Sequence, residues 1–435
     1  MNKKVNVIGC GLAGAEATYQ LAKRGVFVDV FEMKPTKFSP AHSSSNFAEI
    51  VCSNSFKSED LATASGCLKA ELKELDSLIL KCAEQAKVPA GSALAVDRDK
   101  FSELVTKEIL SLSNVKVHYG EVAKLDLSVP TIVATGPLTS DALSGEIKQI
   151  LGSDNLHFYD ASAPIIDADS LDMTKTFKAG RYGKGDSDYI NCFMNKEEYY
   201  NFVDELVGAE RVELHDFEKK EIFEGCMPIE VMASRGKDTL RFGPLRPVGL
   251  ELDDGTRPFA VVQLRKESNV NNLYNMVGFQ TNLKFGEQKR VFSMIPALKN
   301  ADFVKYGVMH RNSFICAPKF LNPDYSVREI PNLYIAGQLS GVEGYMESTA
   351  SGLVAGVALA HKILGKTLAF LPKTTIIGAI SNYISTADEK HFQPMNANFG
   401  ILPALDEKIK DKSVKKQAYS LRAIHDIKEY KESLC

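Results

Sequence analysis

The first 35 residues constrain this chain more than any other part of it. Lys4 to Ile8 is a short apolar run of strand type, and Gly9-Cys10-Gly11-Leu12-Ala13-Gly14 follows it as a GxGxxG turn. Leu12 to Arg24 has helical spacing and stops at Gly25, a C-terminal glycine cap, after which Val26 to Glu32 reads as a second strand. The glycines alone are a weak signal. The βαβ context makes them specific, because an acid, Glu32, closes the second strand 18 residues beyond Gly14. Gly9 permits the tight turn, Gly11 lets the backbone approach a pyrophosphate, and Gly14 allows close helix–strand packing. The helix N-terminus at Leu12 and Ala13 stabilises the phosphate charge, and Glu32 can accept hydrogen bonds from the adenosine ribose hydroxyls. A dinucleotide site is the expectation.

Further along, Met33 to Glu59 loses periodicity in a stretch of Pro, Ser, Asn and His around Cys52, a length of loop that is usually functional or mobile. Helical spacing returns over Leu68–Ala86 and again over Asp99–Leu112, started by Asp97 or Asp99. Strands are expected at Val115–Tyr119, Thr131–Ala134 and Leu333–Ala336, and a small-residue helix at Ser348–Leu364. Residues from about 165 to about 305 differ in texture, with short strand-like runs such as Phe259–Leu264 and Tyr274–Phe279. They read as an inserted substrate domain, 166–305, between the two parts of a discontinuous cofactor domain, 1–165 and 306–435. The expected fold class is α/β, a Rossmann-type FAD-binding domain with an inserted α+β domain.

At 435 residues two joined domains are the natural prior. The apolar fraction of 44%, the charged fraction of 25% and the net charge of -3 suit a soluble globular protein and supply no long-range attraction to RNA. The eight cysteines show no CxxC pair and no zinc spacing, so neither a metal site nor disulfide staples are expected. Val5–Ile8 is too short for a signal peptide and no segment reaches the ~18 apolar residues of a membrane helix, so a cytoplasmic location with no membrane partner is expected. The lysines from Lys408 to Lys416 read as a solvated face, with an RNA patch as the alternative.

Ala134-Thr135-Gly136 and Ala336-Gly337-Gln338, each after a strand, resemble the two later flavin motifs of the glutathione-reductase-like flavoproteins. No second GxGxxG offers nicotinamide its own domain, so FAD is the resident cofactor expected and NADPH or NADH a visiting reductant. Separated blocks resemble one family more closely, the folate- and FAD-dependent RNA uracil-5-methyltransferases. They are Ala48–Ser55, Ala93–Arg98, Ala134–Ser140, Phe223–Pro228, Gly307–Asn312, Gly341–Tyr345 and Gln393–Gly400. Two positions depart from the family's pattern. It often has a histidine pair where this chain has His42-Ser43, and an arginine where Lys57 follows Phe56.

The resemblance implies a chemistry. Carbon 5 of uracil is a poor nucleophile until a thiolate adds to carbon 6. In this family methylenetetrahydrofolate supplies the carbon, and reduced flavin carries it and supplies the reducing equivalents. The family's functional cysteines map onto Cys226, read as the nucleophile, and Cys52, read as a supporting thiol near the flavin. Gly225 and Pro228 place Cys226 in a turn; a free cysteine is otherwise most often a small buried hydrophobe. Tyr345 resembles the tyrosine that stacks on the isoalloxazine, and Arg98 looks like a flavin-domain contact, with a helix cap as its plainer reading. His310 and Arg311 suit the folate glutamate or an RNA phosphate, or equally a surface ion pair. A uridine in the T-loop of tRNA is the expected target, with large-subunit rRNA as the alternative. A small-molecule flavin oxidoreductase and a non-catalytic RNA-binding flavoprotein stay open. The oligomeric state is not read from the sequence.

Overall fold

The computed structural model describes residues 4–152, 156–183, 188–212, 227–252, 254–267 and 272–434. Its first layer is a six-stranded sheet. The order is Ser326–Val327, Ile330–Ile335, Thr131–Val133, Lys4–Ile8, Phe27–Glu32 and Val115–Tyr119, parallel except where the first two strands meet. The central strands bury Val5, Val7 and Ile8, Val28 and Val30, and Ile132 and Val133, as a sheet covered by helices requires. Helix Leu12–Lys23 leaves the first strand at the glycine turn and packs along the late helix Tyr345–Leu364. That crossing is backbone to backbone: a Cβ on Gly352 would fall 2.1 Å from the carbonyl oxygen of Ala13, and one on Gly356 2.8 Å from that of Ala17.

Two buried carboxylates tie helices end to side. Glu16 accepts from the Ile79 amide at 3.0 Å and the Ser77 hydroxyl at 2.7 Å, at the start of helix Leu78–Gln85. Glu71 accepts from the Ile376 and Ile377 amides at 2.7 and 2.9 Å, at the start of helix Ile376–Thr386. Each carboxyl group satisfies backbone amides that the first turn of a helix leaves without an intrahelical partner. The single helix expected over Leu68–Ala86 is two, Ala64–Glu74 and Leu78–Gln85. The break falls where Asp76 turns to φ 59° and Ser77 caps the next helix by accepting from Leu80 N.

The second body is an antiparallel sheet ordered Thr176–Lys178, Tyr189–Met194, Ala260–Lys266, Leu273–Met276, Ile165–Asp167 and Phe303–Lys305. Helix Lys196–Gly208, with Tyr199, Phe202, Val203 and Leu206 buried, packs in its own apolar core. Strands Leu156–Ala161 and Met309–Phe314 pair antiparallel where the chain leaves the first body and returns. Among the described residues no helix is long and apolar enough to cross a membrane.

Candidate active site and cofactor groove

The glycine turn opens a cavity of about 670 Å³ lined by Gly9, Gly11, Glu32, Lys34, His42, Glu49 and Thr135, among others. Gly9 sits at φ 87°, where a side chain would be strained and its Cβ would strike the Ala134 carbonyl at 2.8 Å. Gly14 cannot bear a Cβ, which would lie 1.9 Å from the Gly9 oxygen. Gly11 differs: a Cβ there meets nothing within 4 Å, so the space above it is free for a ligand. Both oxygens of the buried Glu32 are held by backbone amides, Cys10 N at 2.9 Å and Lys34 N at 3.0 Å, which fixes the carboxylate at the cavity wall. Burial, with Glu32 nearby, pushes the Cys10 thiol well above its usual value, so that sulfur is inert. Lys34 is buried against Glu49 at 3.5 Å, and burial together with Lys34 lowers the His42 imidazole.

A second cavity of about 1170 Å³ shares the lining residue Leu138 with the first. Its walls carry Cys52, Lys57, Arg265, Gln280, Gln338, Glu343, Tyr345 and Glu347. The Cys52 loop is fastened from several sides. Cys52 N donates to the Tyr345 hydroxyl at 3.0 Å, the Cys52 thiol faces the Ala161 carbonyl at 3.9 Å, and Ala48 N donates to Cys10 O at 2.9 Å. Phe56 packs edge-on against the Tyr345 ring. Arg98 donates to the Ile50 and Cys52 carbonyls, both at 2.7 Å, and its Nε pairs with Glu267 at 2.5 Å. Arg98 therefore positions the loop and ties it to the antiparallel sheet, while Asp97 caps the helix by accepting from Lys100 N. Arg265, with Nε on Asn54 Oδ1 at 2.8 Å and a terminal nitrogen on Ser53 Oγ at 2.7 Å, braces the loop's other side.

The remaining expected contacts divide. Thr135 lines the first cavity, and Gln338 and Tyr345 line the second, where Gln338 donates to Glu343. Ala13 packs against Gly337 and Gly352, so its contribution to the groove is the amide at the helix start. Leu12 packs partly against the main core, Gly136 turns at φ 71°, and the Gly337 amide donates to Ser351 Oγ at 2.7 Å. His310 and Arg311 lie on strand Met309–Phe314, opposite Asp160 and Tyr159 in register. Cys226 lies outside the described residues. The next residues after it are described: Ile229 N donates to the Gln280 carbonyl at 2.7 Å. Lys34, Glu49, Arg265, Gln280 and Glu347 had no motif of their own. Glu49 lies inside the block Ala48–Ser55 and Glu347 two residues beyond Gly341–Tyr345, and that position was their only signal; Lys57 stood out as the departure from the family's arginine.

The family described as Glucose inhibited division protein A matches residues 4–367. A protein of Lactobacillus johnsonii named Methylenetetrahydrofolate--tRNA-(uracil-5-)-methyltransferase TrmFO is 55% identical over 433 residues, 99% of each chain. One of the same name from Acetivibrio thermocellus is 56% identical over 427 residues, 98% of each. The chain belongs to the methylenetetrahydrofolate–tRNA uracil-5-methyltransferase family, within the glucose-inhibited division protein A group. Membership at this identity and length agrees with the resemblance read from the sequence blocks. Two crystal forms of Aquifex aeolicus GidA share the fold. Their TM-scores are 0.68 and 0.71 at 16% and 17% identity, covering 98% and 99% of this chain and 73% and 77% of those.

FAD fits the groove that family membership implies. The open space over Gly11, the helix start beside it and the Glu32 carboxylate held by two backbone amides at the cavity wall suit the pyrophosphate and ribose of a dinucleotide, and a second cavity shares Leu138 with the first.

Proposed function

We propose that this chain methylates carbon 5 of a uridine in the T-loop of tRNA, with methylenetetrahydrofolate as carbon donor, FAD as resident cofactor and NADPH or NADH as reductant. Full-length identity of 55% to a protein of that name carries the reading. Reduced FAD supplies the electron pair that converts a methylene carbon to a methyl group. The chain's own residues supply the rest. Gly9, Gly11 and Gly14 with the helix start hold the pyrophosphate, Glu32 holds the ribose, and Thr135, Gly136, Gly337, Gln338 and Tyr345 surround the flavin. His310 and Arg311 take the folate carboxylate or an RNA phosphate.

Cys226 is assigned as the nucleophile. Its thiolate forms a bond to carbon 6, the C5–C6 double bond opens, and the electron pair passes into the enolate that attacks the incoming carbon. The carbon-5 proton then leaves as the bond from that carbon to its carrier breaks, giving an exocyclic methylene; a hydride equivalent added to it makes the methyl group, and the enolate so formed expels the thiolate as the C5–C6 double bond returns. Cys52, at the wall of the larger cavity, serves proton transfer. Residues 1–165 with 306–435 act as the cofactor domain and 166–305 as the substrate domain, in the cytoplasm.

The test is direct. Protein, methylenetetrahydrofolate, NADPH and an unmodified tRNA transcript should yield 5-methyluridine by nucleoside mass spectrometry, with no requirement for S-adenosylmethionine. Label arriving from S-adenosylmethionine, or product in ribosomal RNA but not in tRNA, would refute the corresponding part.

A further inference from the structure

A third, smaller cavity adjoins the larger one. It has a volume of about 330 Å³ and is lined by Cys52, Ser53, Ala163, Arg265, Asn275, Val277, Gly278 and Gln280, of which Cys52, Ser53, Arg265 and Gln280 also line the larger cavity. Asn275 and Arg265 face each other across the antiparallel pair Ala260–Lys266 and Leu273–Met276, so both side chains stand on one face of that sheet. Asn275 is 3% exposed, and its Nδ2 has no hydrogen-bond partner among the described residues. A buried amide donor without a partner is costly, on the order of 1–3 kcal/mol, and native structures seldom keep one unless something else satisfies it.

The lining selects the guest. It holds two carboxamides, a guanidinium and a serine, and no carboxylate, so a cation has nothing to bind. Two of the guanidinium nitrogens are engaged by Asn54 and Ser53, so Arg265 offers a field rather than a fork for a phosphate. Carbonyl oxygens suit both Asn275 and that field, and a ring N–H suits the Gln280 carboxamide oxygen. A flat ring bearing two carbonyls with an N–H between them meets these demands. Cys52 stands at the junction with the larger cavity.

We propose that this chamber receives the target uracil, flipped from its RNA loop, and that Asn275 donates a hydrogen bond from Nδ2 to one of the ring carbonyls. The proposal rests on the functional reading above. It makes Asn275 a substrate-binding residue and leaves the larger cavity to the flavin ring and folate. A base taken out of the stack is read through its hydrogen-bonding edge, which is the edge Asn275 and Gln280 would face.

The test compares the FAD-loaded wild type with Asn275→Ala and Asn275→Leu in three measurements. Methylation of an unmodified tRNA transcript should fall about tenfold in kcat/KM, the effect of one lost buried hydrogen bond. Flavin reduction by NADPH, and transfer of the methylene carbon from methylenetetrahydrofolate to the reduced protein, both without RNA, should stay at the wild-type rate. The melting temperature of the RNA-free protein should hold or rise, because each variant removes an unpartnered donor. Wild-type kcat/KM in both variants would overturn the proposal. A fall in melting temperature with unchanged methylation would make Asn275 a residue of the fold alone. Loss of the folate step together with methylation would place the pterin ring, which shares the same lactam edge, in the chamber instead. A wild type that methylates no tRNA would overturn the functional reading and this proposal with it, a result distinct from any difference among variants.

Discussion

Replacing Arg98 by Met tests how the Cys52 loop is held. The side chain makes two bonds to loop carbonyls, Ile50 and Cys52, and one ion pair with Glu267, whose side chain is 5% exposed. Methionine keeps most of the volume and removes every donor. The carboxylate of Glu267 is left buried without its cation, which costs about 3–5 kcal/mol. Each carbonyl loses a partner worth about 0.5–1.5 kcal/mol, although water admitted to the cavity recovers part of that. Arg265, near enough to act on the same carboxylate, brings the total toward the lower end. The expected loss is therefore about 3–5 kcal/mol, a large share of the ~5–15 kcal/mol that stabilises an ordinary domain. Adding Glu267→Gln removes the stranded charge, so the double variant should recover about half of the loss. Urea unfolding of the flavin-free proteins gives the measurement, followed by circular dichroism and tyrosine emission, since the chain has no tryptophan. If Arg98→Met loses less than about 1 kcal/mol, or the double variant is no more stable than the single one, the clamp as described is wrong.

Gly11→Val should abolish FAD retention while leaving the circular dichroism spectrum unchanged, because its Cβ enters ligand space with no protein atom within 4 Å. A yellow Gly11→Val protein would refute the groove assignment. RNA containing 5-fluorouracil should trap wild type and Cys52→Ala as covalent complexes but not Cys226→Ala, which should keep its flavin; a trapped peptide bearing Cys52 would exchange the two roles. Burial pushes the Glu71 carboxyl from 4.5 to about 7, against the bonds from Ile377 and Ile376. Between those values the folded protein holds a proton that the unfolded chain has released, so this group's contribution falls as pH rises through that window. Glu71→Gln should accordingly lose less melting temperature than wild type between about pH 5 and about pH 8, and a parallel pair of curves would refute the assignment.

The cofactor half was legible because its physics is local. A tight turn, a close helix approach and a terminal acid each demand a residue type at a fixed spacing, and Gly9, Gly14 and Glu32 meet those demands within one βαβ unit. The break at Asp76-Ser77 was missed because apolar periodicity runs on through it, although the Asp-Ser pair is itself a capping signal. The C-terminal lysines drew attention as a charge run. Lys412, Lys415 and Lys416 lie in the first turns of a 21-residue helix, Lys412–Glu432, that buries Tyr419, Ala423, Ile427 and Tyr430. Asn275, Arg265 and Gln280 could not be found from spacing at all. They converge only through strand pairing and a turn in the inserted sheet, and nothing in their local sequence separates them from ordinary strand polar residues.

The parallel sheet takes Lys4–Ile8, Phe27–Glu32, Val115–Tyr119 and Thr131–Val133 from one end of the chain and Ile330–Ile335 from the other. A nascent chain that has reached about residue 320 therefore presents Thr131–Val133 as a raw edge, its strand residues wholly apolar apart from Thr131. The glycine turn exists by then, yet Gly352 and Gly356, against which its helix must lie, have not been made. Competence to take up the dinucleotide thus arrives as one late event in synthesis. A ribosome stalled between those points leaves a sticky, cofactor-blind intermediate of the kind that chaperones attend.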